Sequence, residues 1–349
     1  MIKFKEHLIN KKSLIKDALI KLDILAKDAI LFVIDDMGKL VGSLTDGDVR
    51  RGLLRGITIK DRVTKIIQPN PKFILKSSYN LEEIIDLRNK NYKVFPVIDE
   101  SGVVINVVNF RIIKSYLPLD AIIIAGGRGS RLQPLTNDIP KPLIKIGEKT
   151  VMEHNINRLS NFGIDDFWFS VKYLGNQIVD YFGDGKEMNL SIEYIWEDEP
   201  KGTIGSVSMI KNLKHEHVLV SNSDIITNLD YEAFYLDFLK KDADFSVLTI
   251  PYKVVIPYAV LEISNNQVLN LKEKPNYTYY SNGGIYLMKR NILNLIPKDE
   301  YFDATDLIEK LISENKKVIS YPMVGYWLDV GNKEDLDKAI NDIDNINFN

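Results

Sequence analysis

The chain has 349 residues, 45% hydrophobic and 27% charged, a globular balance that excludes a mostly disordered polypeptide and fits two domains, or three small ones. Lys and Arg number 45 against 48 Asp and Glu, and this charge of −3 argues against a protein that coats nucleic acid. With no cysteine, disulfides, thiolate metal sites, iron–sulfur clusters and thiol nucleophiles are excluded, and four histidines leave little for a His-rich metal site or a Ser-His-Asp triad.

The first residues, MIKFKEHLINKK, lack the apolar core of a signal peptide. The longest apolar runs, 29–34 and 121–125, fall short of the roughly 20 residues of a membrane helix. A cytoplasmic protein with no membrane partner is the expectation.

An internal repeat occupies the first third. Val33-Ile34-Asp35-Asp36-Met37-Gly38 returns as Val97-Ile98-Asp99-Glu100-Ser101-Gly102, an offset of 64 (99 minus 35). Each copy reads as an apolar strand, an acidic turn ending in glycine and a second strand, preceded by an amphipathic helix. In the first, Leu14, Ala18, Leu22 and Leu25 keep helical spacing behind Ser13 as cap; in the second, Leu81, Ile84 and Ile85 do so. Thr45-x-x-Asp48 opens a helix carrying Val49, Leu53 and Leu54, and reads as a capping box worth about 1 kcal/mol.

The stretch from Gly38 to Asp48 resembles a CBS motif, and residues 1–117 resemble a tandem CBS pair. The resemblance implies an adenine nucleotide held by Thr45 and Asp48, or a structural dimerisation module and hence a homo-oligomer. At the same offset the second copy has Asn109 and Ile112, so its ligand pattern is lost.

Pro118 closes the repeat. Residues 118–349 then alternate strand patterns (121–125, 167–172, 192–196, 217–221, 245–250) with helical ones (151–162, 231–240). This is a doubly wound, Rossmann-like α/β domain with a mixed sheet. His215 and His217, in Lys-His-Glu-His, read as a solvated turn ahead of a strand.

Behind the first of these strands lies Ala125-Gly126-Gly127-Arg128-Gly129-Ser130-Arg131-Leu132, followed by Pro140-Lys141-Pro142. Glycines let backbone N–H groups approach oxygen closely at the carboxyl end of a strand, so the loop reads as a phosphate cradle. Arg131 and Lys141 add cationic charge, the latter on a segment stiffened by two prolines. The loop is neither a Walker A sequence nor G-x-G-x-x-G, which also weighs against a nicotinamide oxidoreductase.

These elements resemble the signature of sugar-1-phosphate nucleotidyltransferases, G-G-x-G-T-R-L followed by P-K-P-L, with Ser130 in place of Thr. The resemblance implies a GT-A-like fold. It places Ala125, Gly126, Gly127, Gly129 and Ser130 at the nucleotide, and makes Arg131 and Lys141 the catalytic cations. Glu197-Asp198-Glu199-Pro200-Lys201-Gly202-Thr203 resembles the family's base-binding loop, implying contacts from Glu197, Gly202 and Thr203, with Lys201 where the family has Leu. Thr203 also reads as the cap of a following helix. Asp224 and Asp329, each near the end of an apolar strand, match the family's Mg²⁺ ligands. Glu273-Lys274-Pro275 and Asn282-Gly283-Gly284 resemble its sugar-binding elements, implying Glu273, Lys274, Asn282 and Gly283. Ala259 stands for the family's Gly beside the sugar ring.

The reaction implied is attack of a sugar-1-phosphate oxygen on the α-phosphorus of an NTP, with pyrophosphate leaving. A CBS pair ahead of such a domain resembles guanylyltransferases that make GDP-sugars for surface glycans, so GTP and a GDP-glucosamine-type product lead. Mannose-1-phosphate or heptose-1-phosphate guanylyltransferases and UTP- or dTTP-using homologues are the alternatives, with a nucleotide-sensing CBS protein carrying a silent transferase domain as a different class.

Overall fold

A computed structural model describes residues 4–346. The chain divides into two compact units: residues up to Pro118 with Ser160–Asp165, and Leu119–Leu159 with Asp166 onward.

The first unit contains two three-stranded sheets of the same design. Leu8–Asn10 pairs parallel with Ile30–Ile34, which forms a hairpin with Leu40–Thr45. Ile74–Leu75 pairs parallel with Val94–Ile98, which forms a hairpin with Val104–Asn109. Both hairpins carry a register shift at the equivalent point, Val33/Ile34 and Val97/Ile98. In each, the turn aspartate accepts two backbone N–H groups: Asp35 from Met37 and Lys39, Asp99 from Ser101 and Val103. The turns then meet. Leu40 N–H donates to the Gly102 carbonyl and Val104 N–H to the Gly38 carbonyl, each at 3.0 Å.

The first helix, Ile15–Leu25, starts one residue later than Ser13 would cap it. Leu14 is the N-cap, its N–H held by the Asp17 carboxylate, and Leu14 itself is exposed while Ile15, Ala18, Leu22 and Leu25 are buried. The helix Asp46–Leu54 buries Val49 and Gly52 but turns Leu53 and Leu54 to solvent, because Gly52 packs so closely on Ile66 that an added Cβ would lie 2.4 Å from its Cγ2. The second copy's helix, Leu81–Asn89, is capped by Asn80, which accepts the Glu82 N–H. After Val104–Asn109 the second copy turns instead of entering a helix, with the Asn109 side chain accepting Arg111 N–H.

The second unit is built on a seven-stranded sheet in the order Ser191–Trp196, Asp166–Val171, Leu119–Ile124, His217–Asn222, Asn276–Lys289, Phe245–Val255, Val318–Pro322. Every neighbouring pair is parallel except the two made by Asn276–Lys289, which runs antiparallel to both its partners. The mixed α/β sheet therefore matches expectation. Ala121, Ile122 and Ile123 are fully buried, as a parallel strand covered on both faces requires. Helices Val151–Ser160, Gly175–Phe182, Tyr231–Lys240 and Ala304–Ser313 supply layers around it. Beyond the sheet the strands Phe245–Val255 and Asn276–Lys289 continue as an arm tipped by the exposed hairpin Val260–Ser264 and Gln267–Lys272.

The solvated turn expected at His215 and His217 is not what forms. His215 is buried, and its backbone N–H and that of Lys214 both donate to Asp120, folding the segment back over the sheet. His217 begins a strand and its Nδ1 lies 2.8 Å from the Tyr235 hydroxyl. No helix among the described residues is long and apolar enough to cross a membrane.

Candidate active site

The site gathers at the carboxyl ends of the parallel strands, where an α/β sheet exposes loops to ligands. Ala125 extends its strand by one more bond, N–H to the Ser170 carbonyl at 2.8 Å, and is buried. The chain then enters the glycine loop. Gly129 has φ +63°, and a Cβ there would lie 3.0 Å from Thr136 Cγ2 and 3.1 Å from Lys141 Cβ. This close packing is why the loop needs glycine at that point. It also sets Lys141, which follows extended Pro140 and is buried.

Lys141 Nζ reaches Asp224 Oδ2 and lies 3.8 Å from Asp329 Oδ1. The two aspartates are brought together by a short ladder: Ile225–Thr227 pairs antiparallel with Trp327–Asp329, Ile225 opposite Asp329, and Val330 N–H donates to the Asp224 carbonyl. Asp224 Oδ1 and Asp329 Oδ1 are buried and lack a hydrogen-bond partner. Burial and the neighbouring Asp224 charge push the Asp329 carboxyl above its ordinary value, against Lys141 and Arg131. Two carboxylates with orphaned oxygens fit Mg²⁺, a hard cation that takes one or two carboxylates plus phosphates and water. Arg131 is exposed; a Cβ on Gly331 would come within 3.4 Å of its guanidinium.

Two cavities adjoin here, sharing Thr203, Asn222 and Tyr301 in their walls. The first, about 630 Å³, is lined by Gly126, Gly127, Lys141, Glu197, Gly202 and Asp224 among others. The second, about 450 Å³, is lined by Asn282, Gly283, Trp327 and Asp329. Ala125, Gly129, Ser130 and Arg131 are not part of either lining.

The loop 197–205 is held from behind. Glu197 is buried, accepting the Ser170 hydroxyl at 2.5 Å and the Lys201 N–H at 3.1 Å, so its carboxylate is largely spent on the protein itself. Lys201 points its ammonium to Asp299, 2.6 Å to Oδ1 and 2.9 Å to the carbonyl. Gly202 has φ +75°, and a Cβ there would lie 2.6 Å from the Phe302 carbonyl oxygen. Thr203 does not cap the short helix that follows it. Its N–H and hydroxyl donate to Asp303, the cap of the helix Ala304–Ser313, and its Oγ accepts the N–H of Ala304, 101 residues on, so it braces that helix's start.

Glu273 and Lys274 are not brought to either cavity. Both are exposed where the arm's hairpin rejoins the long strand, because the paired strands carry that segment out past the sheet. In the N-terminal unit, Asp48 takes four hydrogen bonds, from Thr45 N–H, the Thr45 hydroxyl, Arg51 and Gln68. Sequence reasoning missed Arg128, Lys172, Asn222, Tyr301 and Trp327 as cavity residues. Only Arg128 carried a signal, as the variable position inside the glycine motif.

The family model described as nucleotidyl transferase matches residues 120–346, and the chain belongs to that family. A bifunctional protein GlmU from Methanococcus maripaludis is 33% identical over 239 residues, covering 64% of this chain and 54% of that protein. The chain thus spans about half the length of that relative. A mannose-1-phosphate guanylyltransferase from Mycobacterium tuberculosis is 29% identical over 234 residues, 64% of each chain. The solved structure of HddC from Yersinia pseudotuberculosis complexed with GMP-PN superposes with a TM-score of 0.50 at 26% identity, covering 64% of this chain and 99% of that one.

Proposed function

We propose that this chain is a Mg²⁺-dependent sugar-1-phosphate nucleotidyltransferase, joining an NTP and a sugar-1-phosphate into an NDP-sugar with release of pyrophosphate. The observation that carries this reading is the Lys141–Asp224–Asp329 cluster where two cavities adjoin, one walled by the glycine loop and one by Asn282 and Gly283. The nucleophile is a phosphate oxygen already ionised, so no general base is required, and none of the residues lining either cavity is a histidine. The oxygen attacks the α-phosphorus in line, and the bond to the bridging oxygen of the β-phosphate breaks. Catalysis is then alignment and charge neutralisation. Lys141 and Arg131 supply cationic charge, Gly126 and Gly127 present backbone to the nucleotide, and Asn282 and Gly283 face the sugar. Asp224 and Asp329 would hold Mg²⁺, which offsets the charge of the reacting phosphates when bound.

Guanine is the base favoured, supported by the guanylyltransferase relative and by the GMP-PN complex of HddC. The product proposed is a GDP-sugar of the GDP-glucosamine type. Residues 1–117 are proposed to be a tandem CBS pair; the matched hairpins support this. The saturated Asp48 carboxylate favours a structural, dimer-forming role for it over adenine-nucleotide binding. The test is a pyrophosphate-release screen crossing GTP, UTP, dTTP and CTP with glucosamine-, mannose-, glucose- and heptose-1-phosphates. GTP with glucosamine-1-phosphate should be fastest; silence across the panel sinks the reading. Light scattering should report a dimer.

A further inference from the structure

At the end of the sheet opposite the cavities, Asp120 and Asp166 stand side by side, register partners on neighbouring parallel strands. Six-residue strands put them about 17 Å from the loops at the other end. Both are fully buried, and His215 is buried beside them. Burying two like charges in contact is costly unless cations or hydrogen bonds answer them. Lys214 answers one oxygen, its ammonium 2.5 Å from Asp166 Oδ1. Asp120 Oδ2 accepts the backbone N–H groups of Lys214 and His215. Asp120 Oδ1, on a residue with no exposed surface, has no hydrogen-bond partner.

Asp120 also belongs to a buried donor set. Asp120, Asp166 and His215 each offer one ligating atom, and these atoms all lie within 4.8 Å of one another. His215 Nε2 is 3.4 Å from Asp166 Oδ2. Two ligands of one tetrahedral zinc ion, with bonds of about 2.0–2.1 Å, sit about 3.3 Å apart. One imidazole with two carboxylates suits zinc and its transition-metal neighbours, whereas magnesium prefers an all-oxygen shell.

We propose that Asp120, Asp166 and His215 form a binding site for a single divalent transition-metal ion of the zinc class, separate from the Asp224–Asp329 pair. The ion staples the segment that carries Lys214 and His215 to the starts of two sheet strands. His217–Asn222, the strand that delivers Asp224, begins two residues after His215. Because the ligands converge only in the folded chain, binding stabilises the fold by mass action. The inference is independent of the proposed activity.

The test uses the full chain, stripped with EDTA and then given Zn²⁺ or Co²⁺ in excess Mg²⁺, which keeps the Asp224–Asp329 pair supplied. Wild type should retain one Zn²⁺ per chain, melt at a higher temperature with it, and show visible ligand-field bands with Co²⁺. Asp120→Asn and His215→Gln should each weaken binding by roughly tenfold or more, and Asp224→Asn should leave it unchanged. The proposal is overturned if no stoichiometric metal is retained, if both ligand variants bind as wild type does, or if Asp224→Asn abolishes binding. Should Asp120→Asn fail to fold, His215→Gln and the wild-type Co²⁺ spectrum decide alone.

Discussion

Lys141 donates to Asp224 and stands 3.8 Å from Asp329, so one ammonium serves two carboxylates that a short antiparallel ladder holds together. Removing it leaves the pair facing each other with Arg131 as the other cation acting on Asp329. Lys141→Ala and Asp224→Asn should therefore each lower turnover by about tenfold or more, with circular dichroism unchanged. Near-wild-type turnover in either variant counts against the assignment. Chelation of Mg²⁺ should stop pyrophosphate release in the wild type.

The clasp from Lys201 to Asp299 stands where the family places leucine, and it anchors the segment that carries Tyr301 into both cavity walls. Asp299 is 80% exposed on its side chain, so the ion pair itself contributes little to stability, about 0–1 kcal/mol. Lys201→Leu should leave the melting temperature close to wild type yet raise KM for both substrates several-fold, with turnover within about twofold. Steady-state kinetics on the two substrates separately would reveal a purely structural role as unchanged KM.

Gly202 combines φ +75° with the Phe302 carbonyl 2.6 Å from any added Cβ. Gly202→Ala must therefore move the backbone of one loop or the other. Strain of this kind costs about 1–3 kcal/mol, to be read by urea denaturation, and nucleotide KM should rise with it. An alanine variant as stable as wild type would show that the two loops part freely.

Asp48 titrates against two opposing influences. Burial favours its neutral form, but the Thr45 hydroxyl, Gln68, Arg51 and the Thr45 N–H hold the carboxyl below its ordinary value. A folded-state value below the unfolded one means stability that is present above the ordinary carboxylate range and lost as pH falls through the folded value. Asp48→Asn should thus destabilise the first unit by about 1–2 kcal/mol near neutrality, a gap that narrows on acidification. A gap independent of pH would assign the loss to packing instead.

The parts of the site that were legible share one property: each is a strand followed at once by its functional turn. The glycine loop and Asp224 are of this kind, and their identity follows from a few adjacent residues. Tyr301 and Trp327 were not legible, because they reach the cavities through contacts such as Trp327 Nε1 to the Gly283 carbonyl, 44 residues away. His215 misled for the same reason. A Lys-His-Glu-His run looks solvated until Asp120, 95 residues earlier, claims its backbone. Glu273 and Lys274 sit in a matching motif, but the motif says nothing about how far the paired strands around it run past the sheet. The antiparallel strand Asn276–Lys289 escaped notice because its first half is exposed and its second buried, so no single periodicity spans it.

The reciprocal bonds between the Gly38 and Gly102 turns have a consequence for how this sequence can drift. Both glycines hold positive φ, 81° and 84°, and each lends its carbonyl to the other copy's second strand. An insertion in one turn would slide its carbonyl out of reach and strand the donor opposite, unless the other turn lengthened in step. The two copies of the repeat also meet where Arg111 pairs with Asp28, but side chains there can be exchanged one at a time, whereas the two turns, bonded backbone to backbone, must change as a pair.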